Sequence, residues 1–534
     1  MPVASCQLPV ASCQQDAEKD SEGAEVDRRT FLKVTGAAAA AGFPAIVRAQ
    51  GARPGVPCGV AVGDAGNGRA VVWSRTDRPA RMVVEYSTTE GFTNVQRVRG
   101  PIAFEGSAFT ARTVLDGLPP GQRVFYRVLF QDLSDLKAYS EPAAGSFGTH
   151  DGRRDVTVAW SADTVGQGWG INREWGGLRL YETMRAARPD VFVNAGDTIY
   201  ADQPVLPEVK LEDGTIWKNL VTEAKSKVAE SLDDYRGCYQ YNYLDDHLRR
   251  FNADVPQIVM WDDHEVRDNW YWERRQDEDA RFREKSVAVL AARARQAFFE
   301  FNPLPLAGDD PERVYRSIRL GPLVEIFALD MRSYKGANSD NRQPSMDAAS
   351  AIFGPAQLQW LKASLRASTA VWKIVAADLP LGMIVGDGPG KYEAVANGEP
   401  GAPLGRELEL ADLLRDLQRN RVRNVVWITA DVHYCAAHHY DPSRAAFTAF
   451  DPFWEFVAGP LNAGTFGPSV LDKTFGPEVK FTGIPAGMKP NRPPSDGFQF
   501  FGLLRANAKT RALTVELRNL AGTTLYSVEL PPRR

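Results

Sequence analysis

Cysteine is scarce in this sequence, with five in 534 residues. Cys6 and Cys13 lie in an amino-terminal segment that we expect to be removed, which leaves Cys58, Cys238 and Cys435 in the body of the chain. Three widely spaced cysteines provide neither the pairs of a disulfide framework nor the close spacing of a zinc ribbon. The fold must therefore rest on hydrophobic cores, and the length and the 44% hydrophobic content predict two domains.

The chain also lacks an excess of charge of one sign, because 63 basic residues face 67 acidic ones and the net charge is −4. We therefore expect no nucleic acid and no anionic lipid held by the overall charge. The glycine-rich stretch Gly166-Gln-Gly-Trp-Gly170 lacks the spacing of a dinucleotide or Walker fingerprint. It does not indicate a nucleotide site by itself.

A long hydrophobic run is missing as well. The weakly apolar segment 34–47 follows the pair Arg28-Arg29 and precedes small residues at 47–49, a pattern that resembles a twin-arginine export signal. Lys33, Arg48 and the short run argue against a stable membrane span. We expect residues 1–49 to be a leader that engages the twin-arginine translocase and delivers a periplasmic or extracellular protein. The alternative is an amphipathic helix on a folded domain.

Residues 55–148 carry short alternating segments, such as 70–74, 82–86 and 124–130, separated by turn-rich stretches. This spacing predicts a small β-sandwich similar to a fibronectin type III module. The segment holds no cluster of ionisable residues, so we interpret it as scaffold. A carbohydrate-binding or protein-binding module is the alternative.

Residues 153–534 alternate apolar runs with helix-like segments, which predicts a layered α/β domain. Polar residues follow the apolar runs, at the positions where ligand crevices form in such sheets. These positions hold Asp163, Asp197 with Tyr200, the string Asp262 to Glu265 with Asn269 behind it, Arg332 after Asp330, and Asp431 with His433. The segments 514–518 and 524–530 predict a closing hairpin.

Carboxylates that converge in this way raise each other's pKa unless cations neutralise them, so we predict a metal site. Oxygen-rich ligation with one phenolate and one imidazole favours hard or borderline ions such as Fe³⁺, Mn²⁺ or Ca²⁺. Two ions that share a carboxylate would activate water for in-line attack on phosphorus and stabilise the developing charge.

The motifs at the strand ends resemble the PhoD family of alkaline phosphatases and phosphodiesterases. The strings that carry the resemblance are Ser161-Ala-Asp163, Gly196-Asp-Thr-Ile-Tyr200, Trp261-Asp-Asp-His-Glu-Val266, Leu329-Asp-Met-Arg-Ser-Tyr334, Gln357-Leu-Gln-Trp-Leu361 and Thr429-Ala-Asp-Val-His433. The resemblance implies a calcineurin-like metallophosphoesterase, with a four-layered α/β/β/α sandwich behind the front β-sandwich, and a centre of Fe³⁺ and Ca²⁺.

The resemblance also implies roles for individual residues. Asp197 would bridge the ions, Tyr200 and His433 would bind iron, and Asp263, Asn269 and Asp431 would serve calcium. His264 would contact the phosphoryl group or the leaving oxygen, and Glu455 is a weaker ligand candidate. Asp163 stands where many members of the family have a cysteine, which leaves the identity of the iron ion open. Arg332 would either clamp a phosphate oxygen or form a structural salt bridge.

Three functions follow from these observations. The leading one is an exported phosphomonoesterase active at alkaline pH. A phosphodiesterase or phospholipase D-like enzyme could use the same metals, and a non-catalytic phosphate-binding protein would keep the fold but lose ligands. The sequence does not fix the natural substrate or the oligomeric state.

Overall fold

The computed structural model describes residues 53–533, which form one compact unit of twenty-two strands and six α-helices. The predicted leader, residues 1–49, lies outside the described residues. The strands are β1 Val60–Gly66, β2 Arg69–Arg75, β3 Ala80–Ser87, β4 Gln96–Ala103, β5 Thr110–Leu115, β6 Arg123–Asp132, β7 Ala143–Gly148, β8 Val156–Ser161, β9 Val191–Asn194, β10 Glu208–Lys210, β11 Ile216–Lys218, β12 Gln257–Val259, β13 Arg316–Leu320, β14 Val324–Ala328, β15 Trp372–Ala376, β16 Val425–Thr429, β17 Ala436–Tyr440, β18 Phe453–Val457, β19 Pro477–Thr482, β20 Phe500–Ala506, β21 Leu513–Asn519 and β22 Thr524–Leu530. The helices are α1 Arg179–Ala186, α2 Leu232–Asn242, α3 Asp246–Asp254, α4 Val287–Phe301, α5 Pro355–Ala367 and α6 Glu407–Arg419.

Two large mixed sheets dominate the unit. Sheet one has nine strands in the order β22-β21-β20-β8-β9-β12-β1-β2-β5, and sheet two has seven in the order β13-β14-β15-β16-β18-β17-β19. In sheet one, β8, β9, β12 and β1 run parallel, and in sheet two β14, β15, β16 and β18 do. Each sheet therefore gathers several carboxyl strand ends along one edge.

The two sheets pack face to face because successive apolar residues of each strand point to opposite faces, so each sheet has an apolar face to bury against the other. Val191 and Val193 of β9 enter the core that the sheets share, together with Ile374 of β15 and Ile428 of β16. Phe192, between the two valines, points the other way, into a core formed with the first four helices.

The outer face of sheet two is covered in the same manner. Trp427 of β16 and Val375 of β15 pack against Leu361 of α5 and Leu414 of α6. The layers are therefore helix, sheet, sheet, helix, and the predicted α/β/β/α sandwich is confirmed.

The front strands form a sandwich, but one of its sheets belongs to the central architecture. The four-stranded sheet β4-β3-β6-β7 packs on β1, β2 and β5, and Val62, Val72 and Val84 meet in the core between them. β1 also pairs with β12, with Gly63 opposite Gln257. The predicted domain boundary at 148–153 falls between β7 and β8, so it interrupts no strand.

Local signals set several helix boundaries. Ser231 and Asp234 form a capping box at the start of α2, and Pro355 occupies the first turn of α5. Residues 202–232 contain the hairpin of β10 and β11, whose Trp217 packs on Trp169 and Trp175. Within residues 53–533, every helix is too short or too polar to cross a membrane.

Candidate metal centre

The predicted polar residues meet where parallel strands of both sheets end. Asp163 follows β8, Asp197 follows β9, Asp263 follows β12 and Asp431 follows β16. Because the carboxyl ends of these strands open on one edge of the sandwich, residues more than 250 positions apart in the chain become neighbours.

Three overlapping groups of side chains could each hold a cation. Within each group the ligand atoms lie within 4.8 Å of one another. The groups are Asp163, Asp197 and His433; Asp197, Asp263 and His264; and Asp262, Asp263 and Asp431. Asp197 and Asp263 each belong to two groups, so either carboxylate is placed to bridge neighbouring ions.

Several residues of the site have a left-handed backbone conformation, which turns their side chains toward the metal groups. Five of the eight predicted ligands have a φ between 48° and 66°, namely Asp163, Asp197, Asn269, Asp431 and His433. Non-glycine residues adopt this left-handed conformation rarely and at some cost, and such residues concentrate at functional sites. The tight turns after the strands direct the side chains into the crevice and away from the core.

Several carboxylate oxygens in the site have no hydrogen-bond donor among the described residues. Both oxygens of Asp163, Oδ2 of Asp262 and Oδ1 of Asp263 are buried in this state. Burial raises the pKa of Asp163 and Asp197 well above the usual range, and neighbouring carboxylates raise it further. Buried oxygens of this kind need a positive charge, so the donor set fits hard cations.

His433 is prepared to act as a metal ligand. Its Nδ1 lies 2.5 Å from the carbonyl oxygen of Gly464, which can only accept, so Nδ1 carries the proton and Nε2 keeps its lone pair. Burial lowers the pKa of His433 to about 4, which keeps the ring neutral. The hydroxyl of Tyr200 lies 2.9 Å from Nε2 of His433, and Oδ1 of Asp163 lies 3.7 Å from the same nitrogen.

His264 is held by a carboxylate that the sequence analysis did not single out. Its Nδ1 lies 2.7 Å from Asp202 Oδ1, and its ring stacks on Tyr200 at 4.2 Å between centroids. Burial disfavours the charged ring, but Asp202 and Asp263 outweigh it and raise the pKa of His264 to about 10. Asp202 follows Asp197 by five positions in the same loop, which is the signal that could have identified it.

Glu265 is a second residue whose role the sequence did not reveal. Its carboxylate accepts from the backbone N–H groups of Asp197, Thr198 and Ile199 at 2.6 to 3.3 Å, and from that of Asp262 at 2.7 Å. It therefore fastens the loop after β9 to the loop after β12. In the sequence, the only sign of this role is the position of Glu265 in the polar string that begins at Asp262.

Asn269 lies beside the centre. Its backbone N–H donates to Asp263 Oδ2 at 2.5 Å, while its side-chain amide donates to Asp387 at 3.2 Å. The structure thus brings it next to a predicted ligand, with its side-chain oxygen as the group that remains for a cation.

Glu455 does not join the metal groups, which corrects its prediction as a weaker ligand. Its Oε1 accepts from the Leu381 N–H at 2.7 Å and from Thr429 at 3.3 Å, and its Oε2 accepts from Tyr440 at 2.6 Å. Both oxygens are therefore occupied by donors from neighbouring strands and loops. The residue lies on β18, but position on a strand does not reveal which partners face it.

Arg332 is ringed by carboxylates, which favours the structural salt bridge over the phosphate clamp. Its Nε lies 2.6 Å from Asp262 Oδ1 and 2.9 Å from Asp378 Oδ2. Its terminal nitrogens contact Glu393 and Asp431. The guanidinium is wholly buried, so it orients two carboxylates of the third metal group and faces the protein.

Comparison with known families gives two matches along the chain. The sequence model described as "PhoD-like phosphatase" matches residues 158–517, and the one described as "PhoD-like phosphatase, N-terminal domain" matches residues 38–150. The chain belongs to the PhoD-like phosphatase family. This membership confirms the resemblance and identifies a phosphoric ester hydrolase.

Individual relatives are more distant. Alkaline phosphatase D of Bacillus subtilis (strain 168) is 26% identical over 446 residues, which span 77% of this chain and 70% of the relative. A solved structure described as "Structure of PhoD" has a TM-score of 0.65 at 20% identity and covers 89% of this chain and 90% of its own. The purple acid phosphatase PPD1 of yellow lupin (Lupinus luteus) has a TM-score of 0.54 at 12% identity, with 90% and 74% covered. These structural likenesses concern the fold.

Proposed function

We propose that this PhoD-like phosphatase hydrolyses phosphate monoesters after export from the cytoplasm. The observation that carries the proposal is the set of three cation-binding groups that share Asp197 and Asp263. Cations bound there would neutralise the carboxylates, activate water and stabilise charge on the phosphoryl group.

The chain's own residues supply the remaining functions. Asp202 accepts from Nδ1 of His264 and so fixes the ring, which leaves Nε2 to donate to the leaving oxygen of the ester. Glu265 holds the two loops that carry Asp197 and His264, so the spacing between nucleophile and leaving group is set by the scaffold.

Burial of the centre favours monoesters over diesters. The exposed fractions of Asp197, Asp263 and His264 are 1%, 3% and 5%. A terminal phosphoryl group can enter such a crevice end-on, whereas a diester must bring two substituents past its rim. The phosphodiesterase is the alternative with the same residues.

The test is a rate comparison with enzyme whose metals have been counted. We expect kcat/KM for p-nitrophenyl phosphate to exceed that for bis(p-nitrophenyl) phosphate by about tenfold or more, a difference of one decade. The Asp197→Ala variant gives the background for both substrates. A higher value for the diester would replace the monoesterase with a phosphodiesterase.

For the metals we propose Fe³⁺ near Tyr200 and His433 and Ca²⁺ near Asp263, Asn269 and Asp431. A phenol and a neutral imidazole beside carboxylates suit ferric iron, and carboxylate and amide oxygens suit calcium. Ferric iron bound by a phenolate absorbs visible light, so Tyr200→Phe should abolish a visible absorption band. In a separate test, EGTA should remove calcium and inactivate the enzyme reversibly. A band that survives in Tyr200→Phe excludes this phenolate, and indifference to EGTA excludes exchangeable calcium.

Export through the twin-arginine route rests on the pair Arg28-Arg29 and the short apolar segment behind it. We expect the double variant Arg28→Lys, Arg29→Lys to stay in the cytoplasm of a host with a twin-arginine translocase. Cell fractionation with an activity assay measures this. Unchanged export of the variant would assign the leader to another route.

A further inference from the structure

A cavity lies at the opposite edge of sheet two from the metal centre. Lys373 is near the start of β15 and Asn424 immediately precedes β16, whereas Asp378 and Asp431 follow the ends of those strands. With a rise of about 3.3 Å per residue, the two edges are roughly 20 Å apart. The cavity is therefore separate from the phosphatase centre.

The cavity is basic. It has a volume of about 860 Å³, and six cationic side chains line it: Arg366, Lys373, Arg421, Arg423, Arg511 and Arg533. No acidic residue of the described chain lines it. This concentration of charge stands out in a protein whose overall charge is slightly negative.

Most of these cations have no anionic partner of their own. Arg366 lies 3.5 Å from Asp416, and the Lys373 ammonium donates to the carbonyl of Ala370 at 2.8 Å. The guanidinium groups of the other four arginines make no ion pair with residues 53–533. Free guanidinium groups around a concave surface match the oxygens of a phosphate or phosphonate.

An apolar cavity of about 260 Å³ adjoins the basic one. The two share Val422, Arg423, Asn424 and Arg533 in their walls. The apolar part runs between β15, β16, β18 and α6, and most of its lining residues are apolar, including the aromatic residues Trp372, Trp427, Phe450, Phe453 and Trp454. Asp451 is its one carboxylate among the described residues.

Residues 530–533, the last that the structure describes, close one side of this double cavity. The backbone N–H of Arg533 donates to Asn424 Oδ1 at 2.7 Å, and the Asn424 amide donates to the Arg533 carbonyl at 3.1 Å. Leu530 and Pro531 then line the apolar part. The junction between the basic and apolar parts is thus held by two hydrogen bonds.

We propose that this double cavity binds an amphiphilic anion, a single molecule with a phosphate-like head and an alkyl tail. The head lies among the arginines and the tail enters the aromatic pocket, as expected for ligand sites with apolar walls and a few charged groups. The site is independent of the hydrolytic reaction. Its ligand class follows from charge complementarity at one end and aromatic lining at the other.

The probe is octylphosphonate below its micellar concentration, since its C–P bond resists hydrolysis at the metal centre. Methylphosphonate supplies the head alone, and octyl glucoside supplies the tail with a neutral head. Calorimetry measures binding, and tryptophan fluorescence reports on the aromatic pocket. We expect octylphosphonate to bind about tenfold or more tightly than either of the others, one decade in Kd.

The variant Arg421→Glu, Arg423→Glu reverses two charges at the mouth of the basic part. The matched control is Arg97→Glu, Arg99→Glu, two exposed arginines with the same spacing on β4. Phosphatase activity should persist in both, which shows that both fold. We expect the first variant to lose octylphosphonate affinity by about tenfold or more and the control to keep it within about twofold.

Three results would overturn the proposal. They are no binding of octylphosphonate to the unaltered enzyme, equal binding of methylphosphonate, or equal affinity in the two double variants. Because the metal centre is the same in both variants, any binding of the head group there cancels in the comparison.

Discussion

At the scale of residues, the centre combines carboxylates that lack donors with imidazoles that are already oriented. Asp163 and Asp263 bury oxygens that accept no hydrogen bond from the described residues, whereas His433 and His264 each have one nitrogen fixed by a protein acceptor. A cation satisfies the first set without competing with the second. The carboxylates and His433 would hold cations, whereas His264 would act on the ester, and substitution can separate these two tasks.

Asp197 should be required for the metals themselves. The Asp197→Ala variant removes a carboxylate from two of the three cation groups, so we expect loss of bound metal together with a fall in kcat of about a thousandfold or more. Metal analysis by mass spectrometry on the purified variant, alongside kinetics, measures both. The control is Asp190→Ala, at the other end of β9, where the carboxylate pairs with Arg154. Full metal content or retained turnover in Asp197→Ala would refute the bridging role.

His264 should act on the ester and leave the metals in place. In His264→Ala we expect kcat to fall by about a hundredfold or more while metal content stays near that of the unaltered enzyme. Asp202→Asn should produce a smaller fall, because it weakens the hold on Nδ1 without removing the ring. Loss of metal from His264→Ala would instead make His264 a ligand of the group that contains Asp197 and Asp263.

At the scale of elements, helix α6 contains a carboxyl group whose ionisation opposes folding. Glu407 lies in its first turn, and burial, with the charge of Asp472, raises the pKa of Glu407 to about 8. The unfolded chain releases this proton near pH 4.5, so between about pH 4.5 and 8 the folded state holds the extra proton. Stability falls as the pH rises through this window, and the loss persists above it.

The variant Glu407→Gln should remove that loss. Gln keeps a side-chain oxygen for the Asn397 amide and the Leu404 N–H, but it does not ionise. Between pH 5 and pH 9, we expect the variant to lose about 2 to 4 kcal/mol less of its free energy of unfolding than the unaltered protein does. Urea unfolding at the two pH values measures the difference. An identical pH dependence in both proteins would show that Glu407 is already ionised at neutral pH.

Individual strands and helices were well predicted where the pattern depends only on the residues of that element. The alternating segment at 124–130 lies within β6 Arg123–Asp132, and the hairpin expected from 514–518 and 524–530 is formed by β21 Leu513–Asn519 and β22 Thr524–Leu530. The convergence of Asp163, Asp197, Asp263 and Asp431 followed from their places after apolar runs. Side-chain partners could not be predicted in this way, because the donors to Glu455 and the acceptors of Arg332 come from segments far away in the chain.

At the scale of the whole molecule, the front strands and the catalytic strands share a sheet. The seam is the pairing of β1 with β12, and no pattern within residues 55–148 could have indicated it. Val60 and Val62 face the front core while Ala61, between them, lies in the core with the helices. The front strands thus stabilise both parts.

Removal of the front strands should therefore abolish folding. A chain that begins at residue 151 leaves the edge of β12 unpaired and exposes the core around α4, so we expect insoluble protein without bound metal. The control is a chain that begins at residue 53, which should be soluble and active. Expression followed by gel filtration measures the outcome. A soluble, active fragment from 151 onward would show that the seam contributes little.

The order of strands in sheet one also bears on how the protein is made. β20 lies between β8 and β21, and its Gly502 pairs with Trp160, more than 340 residues earlier. During synthesis, one edge of β8 must wait for the last tenth of the chain before its hydrogen bonds to β20 can form. A ribosome-bound intermediate therefore exposes this edge of β8 for most of translation, and an open strand edge favours aggregation until β20 has been made.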